Sequence, residues 1–337
     1  MLARDDRKKA AVFTAFCLAG INVYQSYFTT IVKTYSLAGL FLTLGIGLTV
    51  LASAGSRRGL LWAILAGVAM GLSVGVRLSA GIVIPVAFLY LVYTGRRAAV
   101  PGSAGILAYL PCLSLAFGAA VTLTMLDMPA ITRAPEGLFL QFLYHGSRDG
   151  GGFVKMLAYK AGFISRLAQD YFVAAGLIAV ALTVKLAMSA RPASTENGGR
   201  AQRIFLWACI LSVTFVHFMA PFPYDDYQVV IYPVLAAATA VLVLDVFTSQ
   251  LAVAVSVLLL CAVSSFSSPV NQGWFIGRQD RMWWPMKAKP SLIKLREAGW
   301  LIRSLVPGGG TLLTQDAYLA VESGLKIQPG LEMGPFS

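Results

Sequence analysis

Charge is scarce in this chain. Charged residues fill 12% of its 337 positions, about half the share that soluble domains carry, while hydrophobic residues fill 57% and the mean hydropathy is +0.72. That balance excludes an ordinary soluble domain, because one globular core cannot bury so much apolar surface. Most of it must face lipid. Acids are scarcer than bases, 15 Asp and Glu against 27 Lys and Arg, for a net charge of +12. In a soluble protein such an excess suggests nucleic acid. Here the basic residues stand in short clusters between apolar runs, the pattern of bilayer orientation, so no nucleic-acid partner is expected. Cysteine is confined to Cys17, Cys112, Cys209 and Cys261, each inside an apolar run and without paired spacing, which indicates neither a disulfide framework nor a zinc site. The two histidines, His145 and His217, have no partner at metal-ligand spacing. Gly150–Gly152 and Gly308–Gly310 lack the Lys-Ser/Thr of a nucleotide-binding loop, and no nucleophile elbow or internal repeat occurs.

What is present is a series of apolar runs. A membrane span needs roughly 17 to 25 mainly apolar residues, and that ruler predicts an all-α polytopic membrane protein with about nine spans. They run from Ala10 to Tyr27, Tyr35 to Ala52, Leu60 to Val76, Ala80 to Tyr93, Ser103 to Leu126, Tyr171 to Ala190, Ile204 to Ala220, Val229 to Phe247 and Leu251 to Phe266. The third and fourth meet at Arg77 as a tight pair. Arg4, Arg7, Lys8 and Lys9, then Arg57 and Arg58, Arg96 and Arg97, and Arg191, Arg200 and Arg203 all fall on one side of this arrangement. The positive-inside bias makes that side cytoplasmic. The chain is therefore expected in the inner (plasma) membrane, with its N-terminus cytoplasmic and its C-terminal segment outside. A signal peptide is the rival reading of the first run, but Asn22 to Thr30 offers no clean small-residue cleavage site.

The transmembrane domain covers 1–266. Its long outer segment contains two stretches, Glu136 to His145 and Phe153 to Leu167, with apolar residues at helical spacing, as in helices lying in the interface near 136–168. The remainder, 267–337, reads as a partial soluble α/β domain on the outer face. Ser291 caps a helix with Leu292, Leu295, Ile302 and Leu305 on one face, Thr311 to Thr314 is strand-like, and Asp316 to Ser323 forms a short helix.

Few ionisable groups fall at the outer membrane face. Arg77 lies between two apolar helices, where a cation is costly unless it meets an anion. It reads either as a phosphate clamp, because guanidinium offers a fork of donors, or as a snorkelling helix anchor. Pro221-Phe222-Pro223-Tyr224-Asp225-Asp226-Tyr227-Gln228 is the most unusual stretch. Adjacent carboxylates flanked by tyrosines at the mouth of two helices suit sugar hydroxyls, a divalent cation or proton abstraction, and the bland alternative is a solvated turn in an aromatic belt. A third group comprises Asp127, Arg133, Glu136, His145, Arg148, Asp149, Lys155, Lys160 and Arg166, which forms either a cradle for an anionic head group or a solvated amphipathic face. His217 lies within a span, where a helix-to-helix hydrogen bond is the plainer role.

Lys33-Thr34-Tyr35-Ser36-Leu37-Ala38, the run Ala66-Gly67-Val68-Ala69-Met70-Gly71-Leu72-Ser73-Val74-Gly75-Val76-Arg77, and Tyr224-Asp225-Asp226-Tyr227 leading into Tyr232-Pro233-Val234-Leu235 together resemble the polyprenyl-phosphate-sugar glycosyltransferases of GT-C fold. These include the protein mannosyltransferases and the lipid A aminoarabinose transferases. Asp316-Ala317-Tyr318-Leu319-Ala320-Val321-Glu322-Ser323-Gly324 likewise resembles the outer domain that closes such chains. The resemblance implies inverting transfer of a sugar from a polyprenyl-phosphate donor to a lipid, glycan or protein acceptor at the outer leaflet. It assigns the donor phosphate to Arg77, with Arg133 and Arg148 as further candidates. Asp225 and Asp226 fall near the sugar or a cation, as the candidate catalytic acids, with Tyr224, Tyr227 and His145 as substrate contacts. No cofactor beyond an optional divalent cation is implied. One departure stands out: the family carries its acidic residue in the first outer loop, and here that loop, Gln25 to Thr34, has no acid. The expected explanation is a chain that starts about two spans into the family pattern and stops inside the outer domain. The competing classes are a carrier or flippase for an anionic lipid, for which repeated halves and broken midplane helices are not visible, and a membrane scaffold without chemistry.

Overall fold

The computed structural model describes residues 8–30, 34–54, 58–98, 153–188, 199–220, 223–267, 291–314 and 317–328. The chain divides into two units, Met1–Ser268 and Pro269–Ser337. In the first, the helices are α1 (Lys8–Gly20), α2 (Val23–Thr30), α3 (Tyr35–Ala52), α4 (Gly59–Val76), α5 (Val83–Ala98), α6 (Phe153–Asp170), α7 (Phe172–Met188), α8 (Arg200–Met219), α9 (Tyr232–Val246) and α10 (Gln250–Ser267). Two 3-10 helices, Leu78–Ile82 and Asp225–Val230, precede α5 and α9.

The unit is mostly helical, as expected, but the spans are fewer by length than the sequence ruler suggests. Among the described residues α3, α4 and α8 are long and apolar enough to cross a membrane, and α6 with α7, bent by 90°, makes a fourth if counted as one broken span. The apolar helices at Leu78–Thr94, Tyr232–Val246 and Gln250–Phe266 are shorter. The predicted span Ser103 to Leu126 and the stretch Glu136 to His145 lie outside the described residues.

Local chemistry explains the shortening. The first predicted span breaks at Asn22, whose Oδ1 accepts the Gln25 N–H at 2.8 Å and caps α2. The Asn22 Nδ2 donates to the Asp170 carbonyl oxygen at 2.9 Å, so the break is also a tertiary joint. At Arg77 the backbone turns extended (φ −148°, ψ 112°) and ends α4. The eighth predicted span loses its first turn to the Asp225–Val230 3-10 helix, and α9 starts at Tyr232 with Pro233 in its first turn.

Cross-links between helices show which ends lie together. Tyr232 Oη at the start of α9 donates to the Leu18 carbonyl near the end of α1 at 2.9 Å. Ser265, late in α10, donates to the Ile21 carbonyl at 3.1 Å, and Ser73, late in α4, to the Ala38 carbonyl early in α3 at 3.0 Å. Tyr171 and Tyr232 stack with ring centroids 4.1 Å apart, joining the starts of α7 and α9. At the opposite end Ser53 meets Tyr90 at 2.6 Å, Tyr90 stacks on Phe205, and Arg203 pairs with Asp245. The helices thus run alternately. One end of the bundle gathers Asn22, Tyr35, Arg77, Asp170 and Asp225, and the other gathers Lys8, Lys9, Arg58, Arg200 and Arg203.

Small residues set how closely the helices approach. A Cβ on Gly45 of α3 would lie 2.7 Å from Met70 Cγ of α4, and one on Gly39 would lie 3.2 Å from the Val230 carbonyl oxygen. The second contact seats the Asp225–Val230 turn directly on α3. Cys17, Cys209 and Cys261 are buried free thiols.

In the second unit, taken by itself, α11 (Ser291–Leu305) and α12 (Ala317–Ser323) accompany two strands of two residues each, β1 (Thr311–Leu312) and β2 (Lys326–Ile327). The strands pair in parallel, Thr311 with Lys326 and Leu312 with Ile327. This ladder is too small to make a clear α/β domain. Leu305, predicted on the packed face of α11, is exposed.

Candidate functional site

Asp225 and Asp226 open a turn that is clamped from several sides. Tyr224 before them is extended, the Tyr227 N–H returns to the Tyr224 carbonyl at 3.3 Å, and the Ile231 N–H to that of Gln228 at 3.0 Å. Gln25 Nε2, from α2, donates to the Val229 carbonyl at 3.0 Å. Gln228, only 5% exposed, accepts from Thr214 Oγ1 at 3.0 Å and meets His217 Nδ1 at 2.9 Å, both on α8. A solvated turn would need none of these buried amides.

The carboxylates are held by groups remote in sequence. Tyr24 Oη donates to Asp225 Oδ2 at 2.6 Å, and Arg166 Nε donates to Asp225 Oδ1 at 2.7 Å while its Nη2 reaches the Pro223 carbonyl at 3.0 Å. Tyr35 Oη donates to Asp226 Oδ2 at 2.5 Å. A second carboxyl adjoins Asp225. Asp170 sits at the bend between α6 and α7, outside α3, α4 and α8, with its Oδ2 buried and taking no donor from the described residues. Burial, the charge of Asp225 and a hydrogen bond to it push Asp170 up to about 8, against the opposing influence of Arg166. For Asp225 burial works the other way but is outweighed by hydrogen bonds from Tyr24, Arg166, its own backbone and Asp170, and its carboxyl is held below the usual range. The two carboxyls thus differ in direction, Asp170 binding its proton more tightly and Asp225 less tightly than an isolated carboxyl.

Arg77 is stacked between two rings. Its guanidinium carbon lies 4.2 Å from the Tyr35 ring centroid and 4.8 Å from that of Tyr227. Its backbone N–H bonds the Ser73 carbonyl at 2.8 Å, but among the described residues the guanidinium donates to no acceptor. The rings hold the guanidinium by cation–π attraction, which does not occupy its N–H donors. Tyr35 thus ties two features together, one face to Arg77 and its hydroxyl to Asp226. Tyr227 also contacts Tyr224, centroids 5.6 Å apart, and His217, 5.3 Å apart.

Of the residues singled out in the sequence, Arg77, Tyr224, Asp225, Asp226 and Tyr227 are brought together. Arg133, His145 and Arg148 lie outside the described residues. Lys160 is nearly buried and donates to the Phe218 and Ala220 carbonyls, the latter at 2.5 Å, capping the end of α8. Sequence reasoning missed Tyr24, Tyr35 and Asp170 as site residues, and placed Arg166 among many surface charges. The outer loop that lacks an acid supplies instead, from its two flanks, the tyrosine donors for both acids. Among the described residues no group of three His, Cys, Asp or Glu is placed to hold a metal ion. A cavity of about 210 Å³ adjoins the turn between α7, α8 and α9, with Tyr171, Thr214, Gln228 and Tyr232 among its lining residues.

No protein-family model, no curated protein and no solved structure matches the chain.

Proposed function

We propose that the chain is an inner-membrane glycosyltransferase of GT-C-like fold that moves a sugar from a polyprenyl-phosphate donor to a lipid, glycan or protein acceptor. The observation that carries the reading is Arg77, held over Tyr35 and Tyr227 with no carboxylate paired to its guanidinium among the described residues. A cation at the edge of apolar helices is costly unless an anion meets it, and an oriented guanidinium matches phosphate oxygens. The basic cluster at the opposite bundle end supports a cytoplasmic orientation for that end and an outer orientation for the site.

In this reading the acceptor oxygen attacks the anomeric carbon from the face opposite the phosphate. Its proton passes to a carboxylate of the cluster. The bond between the anomeric carbon and the phosphate oxygen breaks, and its electron pair leaves with the phosphate, whose charge Arg77 stabilises. Asp225, saturated by Tyr24 and Arg166, shapes the turn, while Asp226 is linked to the Arg77 stack through Tyr35. The test is transfer of radiolabelled sugar from a panel of polyprenyl-phosphate donors in membranes containing the chain. Transfer into lipid, glycan or protein is expected. A panel without any transfer, combined with vectorial movement of the labelled lipid, would replace the enzyme with a lipid carrier.

A further inference from the structure

We propose that His217 is a second hydrogen-bond donor to the anion that Arg77 binds, so that the site takes a phosphate group between a guanidinium and an imidazole N–H. The inference rests on the phosphate reading of Arg77 and adds a residue to it. The ring is fixed by its neighbours. Gln228 Oε1 accepts from Thr214 Oγ1 at 3.0 Å, and the Gln228 amide nitrogen faces His217 Nδ1 at 2.9 Å. An amide nitrogen only donates, so in this arrangement Nδ1 accepts, and the neutral imidazole carries its proton on Nε2. His217 is 3% exposed, and its Nε2 has no hydrogen-bond partner among the described residues. A buried N–H without an acceptor is a cost that a bound acceptor removes.

The position of His217 points to the same ligand. Its ring stands against Tyr227, 5.3 Å between centroids, and Tyr227 is one face of the Arg77 stack. Two buried or half-buried donors around one tyrosine, neither with an acceptor, suit one group with several acceptor oxygens. A phosphate provides them, whether free or as the head of a polyprenyl lipid. A helix-to-helix hydrogen bond, the plain reading of a histidine in a span, accounts for Nδ1 alone.

The test uses the purified full chain in neutral-lipid nanodiscs, with calorimetric titration of inorganic phosphate in one arm and short-chain polyprenyl phosphate in the other. Two amide variants separate the nitrogens: His217→Asn retains a polar group at the Nδ1 position only, and His217→Gln reaches the Nε2 position. Wild type is expected to bind, with His217→Asn weakened by about tenfold or more and His217→Gln close to wild type. Weakening in both arms identifies the phosphate itself as the ligand, and weakening with the lipid alone identifies a lipid headgroup. Wild-type affinity in His217→Asn, with binding lost in Arg77→Ala, overturns the role of His217 and leaves that of Arg77. No binding of either ligand by folded wild type overturns both.

Discussion

The two ends of the helical bundle handle charge in opposite ways. At one end Lys8, Lys9, Arg58, Arg200 and Arg203 stand at helix starts, and the ion pair formed there, Arg203 with Asp245, is partly exposed. At the other end charges are packed against aromatic rings and bonded to hydroxyls: Asp225 to Tyr24, Asp226 to Tyr35, and Arg77 over Tyr35 and Tyr227. Like charges left in water set orientation and need no individual geometry. Charges withdrawn from water need particular partners, and an arginine withdrawn without a directly paired carboxylate marks a place for an anion.

That contrast predicts a gradient of effects. The largest belongs to Arg77→Ala, which should lower sugar transfer by roughly 100-fold, the scale of removing one donor to a developing oxyanion; Arg77→Lys should recover little, because an ammonium cannot use the stack as a planar fork does. Next, Gly39→Val should cost about 1–3 kcal/mol of stability, because its side chain would meet the Val230 carbonyl, and thermal unfolding in detergent would register the loss. Tyr24→Phe should cost about 1–2 kcal/mol in the same assay by removing the donor to Asp225 Oδ2. At the basic end, Arg203→Ala should change stability by less than about 1 kcal/mol, as expected for a partly exposed pair.

Proton linkage sharpens the comparison further. Asp170 binds its proton more tightly in the folded chain, at about 8 against an ordinary 3.8. Between those values the folded state holds more protons than the unfolded one, so the stability Asp170 contributes is present in full below about 4 and is lost as pH rises through about 8. Asp225, held low, has the opposite dependence: its contribution is lost as pH falls below the ordinary carboxylate range. Asp170→Asn should flatten the neutral-to-alkaline loss in a series of melting curves, and a wild-type curve already flat there would contradict the raised Asp170 carboxyl.

Much of the helical layout was legible because long apolar runs are a strong signal. The helices Tyr35–Ala52 and Gly59–Val76 lie where the sequence puts the second and third spans, to within a residue. The breaks were harder to read, since Asn22 and the Asp225–Val230 turn interrupt apolar runs through hydrogen bonds whose partners are distant in sequence. The candidate site was half legible. Arg77 and the Tyr-Asp-Asp-Tyr turn are conspicuous as rare charges among apolar residues, whereas Tyr24 and Tyr35 look like ordinary interfacial aromatics until the fold brings them 201 and 191 positions along the chain to Asp225 and Asp226. Asp170 gave no signal of its own, because a carboxyl at the edge of a charged segment looks solvated until its neighbour is known.

The most direct measurement compares the two ends in one assay: transfer of radiolabelled sugar from polyprenyl phosphate by membranes carrying the wild-type chain, Arg77→Ala or Arg203→Ala at equal abundance. The account predicts roughly 100-fold loss for Arg77→Ala and near wild-type transfer for Arg203→Ala. Transfer unaffected by Arg77→Ala, or abolished equally by both, would contradict it.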